Sequence, residues 1–190
     1  MQQAIQSLDE SILLFIQNNI RSDVLTPIMK TATWLVDAGK IFILLAFILL
    51  LFRRTRRAGV DLAVCIVVPW AIAQFVFKSI ACRTRPYLTI DGLRILVEPL
   101  SSTSFPSGHS TISFAAAAAL TLIFGKRAAW SFLFAALVAF SRMYVGVHYL
   151  TDVLAGAVWG CLGAMLAYTL SHRLVKPGTA ADKTGSGFTV

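Results

Sequence analysis

Long hydrophobic stretches, separated by short basic or polar segments, constrain the fold of this chain more than any other feature. Residues 41–52 are wholly apolar and end at the basic segment 53–57. Because a helix needs roughly 20 mainly apolar residues to cross a bilayer, such stretches indicate membrane spans. Composition agrees, since 57% of the residues are hydrophobic and 14% are charged, against about 25% charged in soluble domains. We therefore predict an integral membrane protein.

The hydrophobic stretches predict an all-α, polytopic transmembrane bundle with about five to six spans. The stretches are residues 41–52 with an extension back towards Trp34, 58–77, 107–124, 128–144 and 149–170. One membrane domain then covers residues 1–175, and the Gly-, Ser- and Thr-rich residues 176–190 predict a disordered tail. The motif Gly156-x-x-x-Gly160, followed by Gly163, predicts a helix face that lets a neighbour approach closely.

The N-terminal stretch, residues 8–20, predicts an amphipathic helix that lies in the membrane interface. Its apolar face holds Leu8, Ile12, Phe15 and Ile16, and its polar face holds Asp9, Glu10, Gln17 and Asn18. Whether residues 8–37 cross the membrane or lie on it is left open by the pattern.

The formal charge of +8 could indicate nucleic-acid binding, but the cations fall at the ends of hydrophobic stretches rather than in a stripe with aromatics. Segments 53–57, 126–127 and 173–176 are basic and lie on one side of the membrane if the spans alternate. The positive-inside rule makes that side cytoplasmic. We expect a multi-pass protein of the inner (cytoplasmic) membrane, with no nucleic-acid partner, no obligate protein partner, and its remaining polar clusters on the extracytoplasmic face.

The first of these clusters contains Lys78 and Arg85, which lie seven residues apart, about two helical turns. Both side chains point the same way if the helix continues that far, and two converging cations can bind one phosphate. The alternative is that they are span-end cations that contact lipid headgroups. Arg83 and Arg94 are assigned to that alternative.

The second cluster, Pro106-Ser107-Gly108-His109, precedes an apolar helical stretch. A helix N-terminus presents free N–H groups and a positive dipole, so it is an anion site. Gly108 allows a ligand to approach the backbone, and His109 can supply a proton. The alternative is an ordinary capped helix start.

The third cluster holds His148 and Asp152, four residues apart at a helix start and therefore on one face. The carboxylate can accept the N–H of the ring and leave the other ring nitrogen oriented for attack. Arg142 lies a short way upstream and adds a third cation. An isolated pair of this kind is more often a structural hydrogen bond, but three clusters on one membrane face favour catalysis.

Together, Lys78 with Arg85-Pro86, Pro106 to His109, and Ser141-Arg142 with His148 and Asp152 resemble the three signature motifs of the type-2 phosphatidic acid phosphatase family. The resemblance implies a metal-independent lipid phosphatase without a cofactor. It implies phosphate binding by Lys78, Arg85, Ser107, Gly108 and Arg142. It also implies that His148 attacks phosphorus to form a phosphohistidine, that Asp152 orients it, and that His109 protonates the leaving oxygen.

Chains of this size in that family are similar to undecaprenyl pyrophosphate phosphatases, so we expect a lipid phosphate partner of that kind. Phosphatidylglycerophosphate, phosphatidic acid and lipid A phosphates stay open as substrates. The same motifs occur in vanadium-dependent haloperoxidases, which are larger and soluble. A non-catalytic lipid transporter is a further alternative, although no motif residue is missing.

Overall fold

The computed structural model describes residues 2–174, and all regular secondary structure in that part of the chain is helical. The α-helices are α1 Gln2–Phe15, α2 Leu25–Val36, α3 Lys40–Leu51, α4 Arg56–Ile72, α5 Lys78–Ala81, α6 Gly108–Phe124, α7 Ser131–Tyr144 and α8 Leu150–Leu174. The π-helical turn Ala73–Phe77 joins α4 to α5. The predicted all-α class is confirmed, while the tail predicted at residues 176–190 lies outside the described residues.

Three helical segments in residues 2–174 are long and apolar enough to cross a membrane, judged by length and composition. They are Leu25–Leu51, Arg56–Leu88 and Leu150–Arg173. All five predicted stretches are helical, but α6 and α7 have only 17 and 14 residues. These two helices are shorter than the other three segments, because α6 ends at Gly125, which has a positive φ, and residues 126–130 form a 3-10 turn instead of α-helix.

The first membrane segment begins earlier than its most apolar stretch indicates. Helices α2 and α3 follow each other across a kink at Ala38 and Gly39, where φ is 54° and 72°. Residues 25–36, whose relation to the bilayer the pattern left open, thus form the N-terminal half of the segment Leu25–Leu51.

Helix α1 turns part of its polar face towards the protein, which the amphipathic pattern did not indicate. Asp9 is only 1% exposed, whereas Leu8 and Phe15 are 55% and 59% exposed. Leu13 and Ile16 are buried beside Met143 and Tyr149. Asp9 is buried because Arg83 and Thr151 meet its carboxylate.

The centre of the bundle is the close contact between α8 and its neighbours, and it follows the predicted glycine face. A Cβ atom on Gly156 would lie 2.6 Å from the carbonyl oxygen of Ser107, and one on Gly160 would lie 2.4 Å from that of Thr111. On Gly163 it would lie 2.5 Å from Pro69 in α4. These distances leave no room for a side chain, so the glycines set the spacing of the helices.

We predict that Gly160→Ala destabilises the bundle, because its Cβ would meet backbone rather than a movable side chain. Overpacking typically costs about 1–3 kcal/mol, and here it opposes the gain of about 1 kcal/mol that Gly→Ala brings in a helix interior. The measurement is thermal unfolding in detergent, with Val158→Leu on the 60%-exposed face of the same helix as control. An unchanged Tm for Gly160→Ala would contradict this packing.

The basic segment 53–57 and Arg173 lie at one end of the bundle, whereas Lys176 lies outside the described residues. Arg57 at the start of α4 donates to the carbonyl of Ser171 near the end of α8 (3.5 Å), and His172 contacts Asp61 (3.2 Å). Helix α6 begins beside Gln74, at the opposite end of α4, so α6 ends near the same basic end. The three polar clusters therefore share the other end.

Candidate active site

Lys78 and Arg85 lie close together, but they do not lie on one continuous helix, which was the condition of the sequence prediction. Helix α5 ends at Ala81, and Cys82 adopts a left-handed conformation with φ 42°. The chain then turns, and both cations converge on the hydroxyl of Ser102, at 3.1 Å from Lys78 Nζ and 3.0 Å from Arg85 Nη2. A serine in the loop before α6 thus joins the two cations.

Arg85 is 3% exposed and is held by backbone oxygens. Its Nε donates to the carbonyl of Ser102 (2.7 Å), and its Nη1 donates to the carbonyl of Val147 (2.9 Å). The same Nη1 lies 3.4 Å from Nε2 of His148. The guanidinium is therefore fixed beside the ring nitrogen that the sequence assigned to attack.

Ser107 is the N-cap residue of α6. The Ser107 hydroxyl caps the helix by accepting from the Ser110 backbone N–H (3.4 Å) and hydroxyl (3.0 Å). Its backbone N–H donates to the carbonyl of Asp152 (3.0 Å). Ser107 thus fastens α6 to α8, and the outward N–H groups of the first turn are those of Gly108 and His109.

His148 and Asp152 lie side by side as predicted, with Nδ1 3.5 Å from Oδ2. This is longer than the usual hydrogen bond, and catalytic hydrogen bonds often tighten only in the substrate complex. Oδ2 also accepts from the Tyr149 N–H (3.0 Å) and from the Ser104 hydroxyl. Burial lowers the pKa of the His148 imidazole from 6.5 to about 4, so the ring is neutral at neutral pH.

His109 and Arg142 line a cavity of about 610 Å³ between α2 and residues 96–100. Arg142 is 4% exposed, and its guanidinium donates to the hydroxyl of Thr33 on α2. The imidazole of His109 lies within electrostatic range of Arg142, His148 and Lys78. This places both residues on the side of the site that opens into the cavity.

Buried polar atoms without a hydrogen-bond partner concentrate here. Five side-chain atoms in the described part of the chain are of this kind, and three belong to predicted site residues: His109 Nε2, Arg142 Nε and His148 Nδ1. An unpaired buried polar group costs about 1–3 kcal/mol, so such groups are kept where a ligand or a reaction uses them.

Several residues of the site were missed by sequence reasoning. Thr33, Ser102 and Ser104 hold a cation or the carboxylate, and Arg83 donates to Asp152 Oδ1 at 2.7 Å. Ser102 and Ser104 belong to the polar run 101–104, which the sequence marks only as a loop. Among these residues, Arg83 alone had a sequence signal for a place in the site, because it is a second arginine only two residues before Arg85.

The arrangement combines three cations, two imidazoles and one buried carboxylate around one point. Lys78, Arg85 and Arg142 can neutralise a phosphoryl group, which is the main requirement of phosphoryl transfer. A neutral ring nitrogen beside them, oriented by a carboxylate, is suited to nucleophilic attack.

Comparisons with known proteins agree with this chemistry. The sequence profile of the PAP2 superfamily matches residues 58–176. The chain is 34% identical to undecaprenyl-diphosphatase of Sulfolobus acidocaldarius over 60% of its length and 55% of that protein. It is 29% identical to lipid A 4'-phosphatase of Bacteroides thetaiotaomicron over 90% of its length and 80% of that protein. The alignments thus span about half the length of some curated relatives, 55% for the one from Sulfolobus.

Two solved structures are similar in fold to this chain. The transmembrane PAP2 type phosphatidylglycerolphosphate phosphatase from Bacillus subtilis matches with a TM-score of 0.71 and 28% identity, over 92% of this chain and 89% of that one. LpxE of Aquifex aeolicus matches with a TM-score of 0.70 and 25% identity, over 84% of this chain and 93% of that one.

Proposed function

Because this chain belongs to the PAP2 superfamily, we propose that it is a membrane lipid phosphatase that works through a phosphohistidine on His148. The observation that carries the proposal is the placement of that ring. Its Nε2 lies 3.4 Å from Arg85 and its Nδ1 lies 3.5 Å from Asp152. One nitrogen therefore faces the cations, and the other faces the carboxylate.

The reaction has two displacements at phosphorus. In the first, Nε2 of His148 attacks, the P–N bond forms, the bond from phosphorus to the leaving oxygen breaks, and His109 gives its proton to that oxygen. Asp152 stabilises the positive charge that the ring gains. In the second, water attacks the phosphohistidine, the P–N bond breaks, His109 takes a proton from the water, and inorganic phosphate leaves.

The substrate we propose is a lipid diphosphate, undecaprenyl pyrophosphate, which is converted to undecaprenyl phosphate. With the terminal phosphate between the cations, the leaving oxygen points to His109 and so into the cavity of about 610 Å³. Trp34, Leu96 and Leu100 give this cavity apolar walls, and the exposed Lys30 lines it with no ion pair among the described residues. Lys30 can bind the second phosphate of a diphosphate, and the walls suit a prenyl chain.

Two other lipid substrates are second candidates, each favoured by one similarity. Lipid A is favoured by the relative from Bacteroides, which is aligned over 90% of this chain. Phosphatidylglycerophosphate is favoured by the Bacillus structure, which covers 92% of it. In both, the phosphate that is removed is a monoester, so no second phosphate is joined to it by an anhydride bond for Lys30 to bind.

The test is phosphate release by the purified protein in detergent from undecaprenyl pyrophosphate, lipid A, phosphatidylglycerophosphate and phosphatidic acid. We expect the highest kcat/KM with the diphosphate, and a rise in KM of about tenfold for it alone in Lys30→Ala, the size of one exposed charge contact. Lys126→Ala, at the other end of the bundle, is the control. Preference for a monoester would remove the diphosphate assignment, and no release from any lipid would remove the phosphatase.

We further propose that the site faces the extracytoplasmic space, because the basic segments gather at the opposite end. In a protein with Cys65, Cys82 and Cys161 replaced, a cysteine at the exposed position Asp91 should react with a membrane-impermeant thiol reagent in intact cells. A cysteine at Arg54 should react only after lysis. The reverse labelling pattern would place the site on the cytoplasmic side.

A further inference from the structure

Arg83 connects three elements at the site, although the sequence alone suggested a span-end cation. Its side chain is 22% exposed. Nη1 donates to Asp152 Oδ1 (2.7 Å) and to the Thr151 hydroxyl (2.6 Å), and Nη2 donates to Asp9 Oδ2 (2.8 Å). The guanidinium carbon lies 3.9 Å from the centre of the Tyr149 ring. The group is thus held from all sides beside the carboxylate of the catalytic pair.

Gln6 and Asp9 hold Arg83 from α1, and Gln6 Oε1 accepts from Arg83 Nη2 (2.9 Å). Asp9 also contacts the start of α8. Its Oδ1 accepts from the Thr151 backbone N–H (3.0 Å), and its Oδ2 accepts from the Thr151 hydroxyl (2.5 Å). Asp9 therefore satisfies a free N–H in the first turn of α8, immediately before Asp152. The residue lies outside the segment 58–176 that the superfamily profile matches.

We propose that Asp9 and Arg83 are positioning residues of the phosphatase: Asp9 fixes Arg83, and Arg83 fixes Asp152 Oδ1 so that Oδ2 faces the Nδ1 atom of His148. This inference rests on the proposed function. It makes α1 a part of the active site rather than only a membrane-interface helix.

The geometry favours this role over simple docking of α1. A buried carboxylate that contacts only one imidazole can rotate about its Cβ–Cγ bond. A carboxylate whose two oxygens have different partners cannot rotate in this way. Ser104 and the Tyr149 N–H hold Oδ2, and Arg83 is the side chain that holds Oδ1. The cation also offsets the charge that Asp152 and Asp9 together bring into a buried place.

Electrostatics gives the proposal a readout that docking alone would not change. The charged groups around His148 are Arg85, Arg142 and Asp152, with Arg83 on the far side of Asp152. Removing the positive charge of Arg83 makes protonated His148 more favourable, so the His148 pKa should rise. The acid limb of the kcat/KM profile should move to higher pH with it.

The experiment compares Arg83→Gln, Asp9→Asn and the double variant with wild type, and uses Asp23→Asn as the matched control. Asp23 is an exposed carboxylate in the turn before α2, and it has no ion pair among the described residues. We expect kcat to fall about 10–100-fold in both single variants with KM little changed, as for lost transition-state positioning. The double variant should be no slower than Arg83→Gln, because Asp9 acts through Arg83.

A ¹⁵N-histidine NMR titration in detergent follows His148 independently of turnover, and the chain has only three histidines to assign. A raised His148 pKa in Arg83→Gln but not in Asp23→Asn supports the proposal. It would do so even if the wild type hydrolysed none of the lipids, a result that would remove only the phosphatase assignment. An unshifted His148 pKa, or losses that multiply in the double variant, would overturn it.

If Arg83→Gln does not fold, Arg83→Lys keeps the charge but cannot bridge both carboxylates. Its kcat should then fall while its His148 pKa stays near wild type, and a wild-type kcat would overturn the proposal.

Discussion

Replacing His148 by alanine should reduce turnover by at least about 10⁴-fold, the scale at which loss of a nucleophile acts in other hydrolases. The reason is that Nε2 of His148 lies 3.4 Å from Arg85 Nη1, and burial, which lowers the pKa of the ring to about 4, keeps it unprotonated at neutral pH. The measurement is phosphate release from the preferred lipid, together with the Tm of the variant in detergent.

The matched control for this variant is His172→Ala. His172 lies at the opposite end of the bundle and contacts Asp61 (3.2 Å), so its loss should leave turnover near the wild-type value. Acid-labile, alkali-stable phosphate should be trapped on the wild type after a rapid quench and be absent in His148→Ala. Release near the wild-type rate by a folded His148→Ala protein would rule out His148 as the nucleophile.

Much of the fold was predictable because local patterns decide it. Hydrophobic length placed five helices. Gly156 and Gly160 marked the face where α8 meets α6, since a Cβ atom at these positions would lie only 2.6 and 2.4 Å from the carbonyl oxygens of Ser107 and Thr111. The kink at Ala38 and the left-handed Cys82 were not predictable, because neither residue carries a sequence signal for positive φ. That turn is why Lys78 and Arg85 meet through a loop serine rather than along a helix.

The candidate site was predictable where its residues lie close together in sequence, and not where they pair over distance. His148 and Asp152 are four residues apart, so helical geometry alone brings them together. Asp9 and Arg83 are 74 residues apart, and periodicity can place Asp9 on a polar face but cannot tell whether that face meets lipid headgroups, water or protein. Burial of an ion pair between distant segments is a property of the packed bundle.

The second large effect is expected from Arg85→Ala, which should lower kcat/KM about 10²–10³-fold, the usual loss when one donor to a developing charge is removed. Arg85 Nη1 lies 3.4 Å from Nε2 of His148. Arg85 also holds the loop before α6, because its Nε donates to the carbonyl of Ser102 (2.7 Å). Arg53→Ala, at the basic end, is the control and should keep the wild-type rate.

This prediction extends to metal ions, since we assign the neutralisation of phosphate charge to Lys78, Arg85 and Arg142. Among the described residues no group of three or more His, Cys, Asp or Glu is arranged to hold a metal ion. Activity should therefore survive excess chelator. Added Mg²⁺ should not restore Arg85→Ala, because the carboxylate of the site, Asp152, is already bound by Arg83, Ser104 and the Tyr149 N–H. Loss of wild-type activity on chelation with recovery on Mg²⁺ would transfer the charge-neutralising role from the arginines to a metal.

A folded Arg85→Ala protein with unchanged kcat/KM would show instead that the guanidinium serves only to hold the loop before α6.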